Sequence, residues 1–339
     1  MDKPILIDAL YINISGGLMI LNHLVDTLVS VGCDFVLIKD SRCPKLGKES
    51  DIKKIVVMQP SLFKRHNYYK SHKNVFRAIL CMGNVPPTTK MDCHVYTYFH
   101  NVIVMSRPKG YPLMHTIRAV LKKWVIKVLS QNTDDWVVQT SNTKELVNKH
   151  LALEKQHIFV LPIYSVPYDL KILKQAEHGK DYIFIGQYTN AKGHDQLFKA
   201  WEMLYEREIK PVLHITVSVN YVLPRIKKLQ QKGINIVNHG FVPYKDVIEI
   251  YRQGKALIYP SFNESFGLGI IEALEAGLDV ITSNLPFALS ICKPSIVFDP
   301  YSPQSIVDAV INYETNTCPK SEITVKDNVR ELINLLTDN

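Results

Sequence analysis

Short apolar runs alternate with helix-length amphipathic patterns along this chain, in two successive series, and that rhythm narrows the fold more than any other feature. Strand-like runs fall at 5–7, 35–38, 55–58, 78–81, 95–99, 136–139 and 159–161. They resume at 182–185, 212–218, 234–237, 256–259, 279–282 and 296–298. Helical periodicity fills intervals at 18–31, 195–208, 222–232, 244–253, 268–276 and 303–313, and Ser141 stands where the helix before 159–161 needs a cap. Near-continuous apolar runs separated by helices are what a parallel sheet covered on both faces requires. The segment 162–167, with a proline at each end, breaks the pattern, and 339 residues exceed what one core usually supports. Two α/β, Rossmann-like domains facing a central cleft are therefore expected, at 1–165 and 166–315, with a helical tail at 316–339.

Composition removes several alternatives. The six cysteines (Cys33, Cys43, Cys81, Cys93, Cys292 and Cys318) form no Cys-x-x-Cys pair, which argues against a zinc site or a disulfide framework. Asp2 and Asp8 interrupt the N-terminal apolar run, so a signal peptide is not expected there. No apolar stretch approaches the roughly 18 residues of a membrane span. A soluble, cytoplasmic protein is expected. Charge is unevenly placed: residues 1–170 hold 22 Lys and Arg against 13 Asp and Glu, and residues 171–339 hold 18 against 19. The basic half suggests an anionic partner. No aromatic-rich basic motif points to nucleic acid.

The chemistry concentrates at 255–277, KALIYPSFNESFGLGIIEALEAG. An apolar run enters a polar turn, then a small-residue corner at Ser265, Phe266 and Gly267 opens a helical pattern at Leu268. Bare backbone amides at a helix N-terminus favour an anion. A carboxylate beside them accepts hydrogen bonds from hydroxyls. That pairing suits a phosphorylated, hydroxyl-rich ligand.

In this setting the pair Glu264 and Glu272 resembles the Glu-x7-Glu signature of retaining glycosyltransferases of the GT-B fold, family 4. The run from Phe184 to Asp195, FIGQYTNAKGHD, resembles that family's phosphate-binding strand and loop, and His239-Gly240-Phe241-Val242, with Val247 to Tyr251 after it, resembles its nucleoside-flanking segment. Upstream, Gly83 to Pro87 and Tyr98 to Asn101 look like members that assemble bacterial surface polysaccharides. The likeness is strong over 180–300 and weaker over 1–165.

The resemblance implies a transferase that moves a sugar from a UDP-, GDP- or dTDP-linked donor to a glycan acceptor, carried by a lipid, in O-antigen, capsule or lipopolysaccharide synthesis. No cofactor or bound metal is implied. Lys192 would meet the donor diphosphate, Glu264 the transferred sugar, Glu272 the ribose, and His100 the donor sugar. Gly16, Gly17, Gly186, Gln187, Phe241, Val242, Phe266, Gly267 and Leu268 would complete the donor site. Gln187 departs from the family's usual arginine and removes one cation. Two other readings remain: a catalytically weak module that partners another transferase, and a sugar-nucleotide epimerase.

One further segment, 114–129, carries Ile117, Val120, Leu121, Trp124, Val125, Val128 and Leu129 at helical spacing, with Arg118, Lys122, Lys123 and Lys127 around them. Such a helix can lie peripherally on the anionic inner face of a cell membrane. Alternatively the aliphatic stripe packs on the sheet and leaves the lysines outward.

Overall fold

The computed structural model describes residues 3–102, 113–151, 153 and 156–338, apart from the side chains of Ser15, residues 113–116, Arg118 and Lys245. Among the described residues, those up to Ser165 and from Lys326 onward form one compact unit, and Val166–Val325 form the other. The expected tail, 316–339, is thus divided between the two.

The first unit is built on β1 (Ile5–Ala9), α1 (Ser15–Ser30), β2 (Phe35–Asp40), β3 (Lys54–Met58), α2 (Leu62–Ser71) and β4 (Ala78–Cys81). It continues through β5 (His94–Phe99), α3 (Leu113–Leu129), β6 (Asp135–Val138), α4 (Ser141–Leu151) and β7 (Ile158–Val160). Its seven strands run parallel in the order β3-β2-β1-β4-β5-β6-β7. All five residues of β1 and all four of β4 are buried, as expected of central strands covered on both faces. Thr140 Oγ1 accepts from the Thr143 amide (3.1 Å), so Thr140, not Ser141, caps α4.

The second unit holds α5 (Tyr168–Leu173), β8 (Asp181–Phe184), α6 (His194–Glu206), β9 (Leu213–Ile215), α7 (Leu223–Gln231), β10 (Ile236–Asn238) and α8 (Ile248–Gln253). After these come β11 (Gly254–Tyr259), α9 (Leu268–Glu275), β12 (Asp279–Ser283), α10 (Pro286–Leu289), β13 (Cys292–Lys293), β14 (Ile296–Phe298), α11 (Pro303–Thr315) and β15 (Glu322–Ile323). Six strands form a parallel sheet, β10-β9-β8-β11-β12-β14, and β13 pairs antiparallel with β15. The helix expected at 244–253 is a 3₁₀ turn at Tyr244–Asp246 followed by α8.

The last helix, α12 (Val329–Thr337), belongs to the first unit. It buries Val329, Leu332, Ile333 and Leu336, spaced i, i+3, i+4, i+7, in the core that α1 shares with β1. His23 Nε2 and Asp327 Oδ2 pair at 2.8 Å beside it.

Two features of the first unit were not legible beforehand. Arg65 of α2 is fully buried, donating from Nε to Asp8 Oδ2 (2.7 Å) and to the carbonyls of Pro86 (2.7 Å) and Val85 (2.8 Å). Tyr69 also donates to Asp8 Oδ2. The other is α3, which sends only Ile126 into the core among its described side chains while Ile117, Val120, Leu121, Trp124 and Val128 face solvent. The arrangement with the aliphatic stripe inward is therefore not adopted. Arg118 lies outside the described side chains. Among the described residues no helix is long and apolar enough to cross a membrane.

Candidate active site

In each sheet the strand order reverses once, between β1 and β4 and between β8 and β11. Loops leaving the carboxyl ends of strands diverge at such a point and open a ligand crevice. In the second unit the diverging loops are 185–193 and 260–267, the two stretches the sequence marked out.

These loops are docked on each other. The Phe262 amide donates to the Ala191 carbonyl (2.7 Å). Gly193 has φ +70°, and a Cβ there would lie 2.1 Å from the Pro260 carbonyl oxygen, so only glycine lets the backbones approach. Ser283 Oγ donates to the carbonyls of Tyr259 (3.1 Å) and Ser261 (2.7 Å), pinning the end of β11.

Lys192 and Glu264, 72 positions apart in sequence, consequently meet: Nζ lies 2.6 Å from Oε1. Tyr259, the last residue of β11, donates to the same Oε1 (3.0 Å) and accepts from Lys192 Nζ (3.3 Å). Ser261 Oγ is a third donor to Oε1 (2.9 Å). Convergence on Oε1 fixes the carboxylate plane and leaves Oε2 available to a ligand hydroxyl. Burial disfavours the Lys192 ammonium, but Tyr259 and Glu264 outweigh it and hold the pKa above the ordinary lysine value. Lys192 is therefore a fixed cation next to a carboxylate, on one of the two docked loops.

Glu272, in α9, is 6% exposed, and its carboxylate accepts from Tyr244 (2.6 Å, Oε1) and Tyr251 (3.0 Å, Oε2). Burial raises its pKa; the two phenols and the charge of Lys192 oppose the rise. Each oxygen keeps a lone pair for a further donor. Tyr251 closes the 247–251 stretch that the sequence likens to the nucleoside-flanking segment, but no role was read for it, nor for Tyr244, Tyr259 or Ser261. Phenols in strands and helices read as core residues, and only their convergence on carboxylates reveals them.

The other expected donor residues of this unit lie on the loops after β8 and β10 and at the start of α9. Gly267 has φ +87° and precedes α9, which no side chain caps. Its neighbours Phe266 and Leu268 bracket it, Phe266 being buried. The Gly186 amide donates to Thr216 Oγ1 (2.9 Å). Gln187 Oε1 accepts from the amide (3.0 Å) and hydroxyl (2.9 Å) of Ser218, so it ties the loop after β8 to the segment after β9. Asn238 Oδ1 accepts from the amides of Val217 (2.9 Å) and Gly240 (3.2 Å) and shapes the 239–242 loop. Phe241 there is 75% exposed, with Val242 half-buried beside it. His194, first in α6, is buried between Phe184, Tyr188 and Phe198, and burial and Lys192 depress its pKa to about 3.

In the first unit, Gly16 and Gly17 do not lie between strand and helix; they form the first turn of α1, after a loop at 10–14. A Cβ on Gly17 would lie 3.2 Å from His100 Nε2, so this glycine makes room for that ring. His100 follows β5, its amide and that of Asn101 donating to Asn84 Oδ1 (2.7 and 3.0 Å). Burial lowers its pKa to about 4, so the imidazole is neutral at pH 7. Among the described residues no group of three or more His, Cys, Asp and Glu side chains could hold a metal ion.

Comparison with known proteins is consistent with these elements. Residues 168–331 match the family described as glycosyl transferases group 1. O-antigen chain mannosyltransferase B of Escherichia coli is 44% identical over 203 residues, 56% of this chain and 52% of that protein. Mannosylfructose-phosphate synthase of Agrobacterium fabrum is 26% identical over 51% of this chain and 43% of its own length. The chain thus spans about half the length of these relatives, or less. Among solved structures, sucrose-phosphate synthase from Thermosynechococcus elongatus superposes with a TM-score of 0.70 at 14% identity, covering 93% of this chain and 90% of that one. Anabaena HepE, solved with UDP and glucose, gives 0.63 at 12% identity, covering 92% and 90%. These structural likenesses establish the GT-B fold.

Proposed function

We propose that this chain, whose residues 168–331 match the group 1 glycosyl transferases, transfers a sugar, with retention of anomeric configuration, from a nucleotide-sugar donor to a glycan acceptor in bacterial surface-polysaccharide assembly. The observation that carries this reading is the Lys192–Glu264 pair held on two interlocked loops at the strand-order reversal of the second unit. Lys192 and the uncapped start of α9 supply positive potential for a diphosphate. Glu264 Oε2 accepts from a hydroxyl of the transferred sugar, and Glu272 from the ribose.

Among the described residues of this cluster both carboxylates are engaged by other side chains, which favours front-face attack. The bond from the anomeric carbon to the diphosphate oxygen breaks as the acceptor oxygen bonds to that carbon, and the departing phosphate takes the acceptor proton. Lys192 stabilises the charge gathering on the leaving group. His100, neutral and enclosed, is assigned to the donor sugar. The acceptor is read as lipid-linked, at the anionic cytoplasmic face of the membrane, consistent with the basic first half.

The direct trial incubates the protein with UDP-, GDP- and dTDP-sugars and scores nucleotide release with a lipid-linked glycan acceptor. Release from one donor, lost in Lys192→Ala, supports the reading; release from none counts against it. The weak-module alternative rests on Gln187, whose carbonyl the structure commits to Ser218. That alternative gains if donors bind but none turns over.

A further inference from the structure

The helix α3 exposes more apolar surface than its fold uses. At about 100° per residue, Ile117, Val120, Leu121, Trp124 and Val128 fall within an arc of about 100°, opposite the buried Ile126. Each of the five is 44–63% exposed. Scattered exposed aliphatics need no explanation, but a contiguous stripe on one helix marks an interaction surface. Lys127 and Lys123 border its Val120 edge and Lys122 lies beyond Leu121; Lys123 also meets His150 Nδ1 (2.9 Å). The surrounding sequence is depleted of acids: no Asp or Glu occurs between Asp92 and Asp134, a stretch with six Lys and Arg.

We propose that this stripe is the surface by which the protein docks on an anionic lipid bilayer, with α3 lying in the interface plane. Three observations favour lipid over other occupants. The apolar residues run lengthwise along the helix with lysines at the margins, where their stems reach headgroup phosphates while the stripe enters the acyl boundary. Trp124, an interfacial side chain by nature, is at the stripe's centre. A second copy of this chain would set lysine against lysine with no carboxylate on the helix to pair them. The proposal extends the membrane-side acceptor reading and names the face that carries it; Lys192, Glu264 and Glu272, assigned to the donor nucleotide and sugar, belong to the other unit.

The protein carries its own probe. Of its three tryptophans, Trp136 and Trp201 are fully buried, so solvent-sensitive emission comes from Trp124. With vesicles of phosphatidylcholine plus phosphatidylglycerol, the emission should shift to the blue and the protein should float with the lipid; phosphatidylcholine alone should do neither. Replacing Lys122, Lys123 and Lys127 together by Gln should weaken binding on the order of a hundredfold, from about 1 kcal/mol per cation near an anionic surface. Leu121→Glu should abolish flotation while leaving the thermal midpoint and its shift by nucleoside diphosphate unchanged. The proposal is overturned if anionic vesicles leave the emission unchanged, or if these variants float like the parent. A blue shift that grows with protein concentration without lipid, alongside a dimer mass, would assign the face to a second copy. Absence of any nucleotide shift in the parent protein is a separate result, bearing on the donor reading alone.

Discussion

Replacing Tyr259 by Phe tests how the Lys192–Glu264 pair works. The ring stays: it is buried, edge-on to Phe184 at 5.6 Å and tilted against Phe287 at 6.3 Å, contacts that phenylalanine keeps. Only the hydroxyl goes, and with it one hydrogen bond to Glu264 Oε1 and one from Lys192. Glu264 still holds Ser261 and Lys192, so no buried charge is stranded, and the stability cost should be about 1–2 kcal/mol, a few degrees in thermal midpoint. The functional effect should be larger and selective. To serve a diphosphate, Lys192 must give up part of its contact with Glu264, and in the parent protein Tyr259 and Ser261 keep that carboxylate satisfied meanwhile. Without the phenol the lysine is held more tightly by the carboxylate. A hydrogen bond to a charged group contributes about 1.5–3 kcal/mol, so nucleoside diphosphate affinity should fall by about 10- to 100-fold. Nucleoside monophosphate affinity, resting on Glu272 and the 239–242 loop, should change less than about twofold. Calorimetric titration with both nucleotides reads the split. Equal loss of both, or loss of neither, would refute a role for Tyr259 in freeing Lys192.

Gly193→Ala should both force a left-handed residue to carry a Cβ and drive that Cβ into the Pro260 carbonyl. A cost of roughly 2–4 kcal/mol in denaturant unfolding is expected, with loss of nucleotide binding as the loops separate. Arg65→Met leaves the buried Asp8 carboxylate with Tyr69 but without its cation, costing about 3–5 kcal/mol, and adding Asp8→Asn should recover part of it; no recovery in thermal melts would deny the coupling. Glu272 must be ionised to accept from two ribose hydroxyls, so nucleotide affinity should fall as pH drops through a pKa above the usual glutamate value. Tyr244→Phe removes a donor that favours the charged form, so the midpoint of that loss should move to higher pH.

The strands were legible because a parallel sheet buries both faces, which turns β1, β4 and β11 into plain apolar runs. Lys192 and Glu264 were traceable as a pair because both stretches carry glycines and small residues where the backbones approach, whereas Glu272, inside α9, was singled out only by its spacing from Glu264 in a family-like motif. What escaped has physical reasons. Helix α2 buries only Arg65 and Tyr69, so it has no apolar stripe to detect, and an ion pair holds what hydrophobic burial usually holds. The period of α12 marks a helix, but nothing in a period says which unit it packs on. For α3 the sequence could not tell an inward stripe from an outward one, since both give the same spacing. The Gly16–Gly17 pair lies just ahead of the helical pattern expected at 18–31, yet it opens α1, with Gly17 clearing space for His100.

The central claim is a division of labour at the reversal point of the second sheet, and a crystal structure with the donor's nucleoside diphosphate bound tests it most directly. The account predicts phosphate oxygens within hydrogen-bond distance of Lys192 Nζ and of the amides opening α9. Ribose hydroxyls should lie on Glu272, and Glu264 Oε2 should face the space beyond the terminal phosphate. A nucleotide bound elsewhere in the second unit, or one with Lys192 still wholly paired to Glu264, would contradict it.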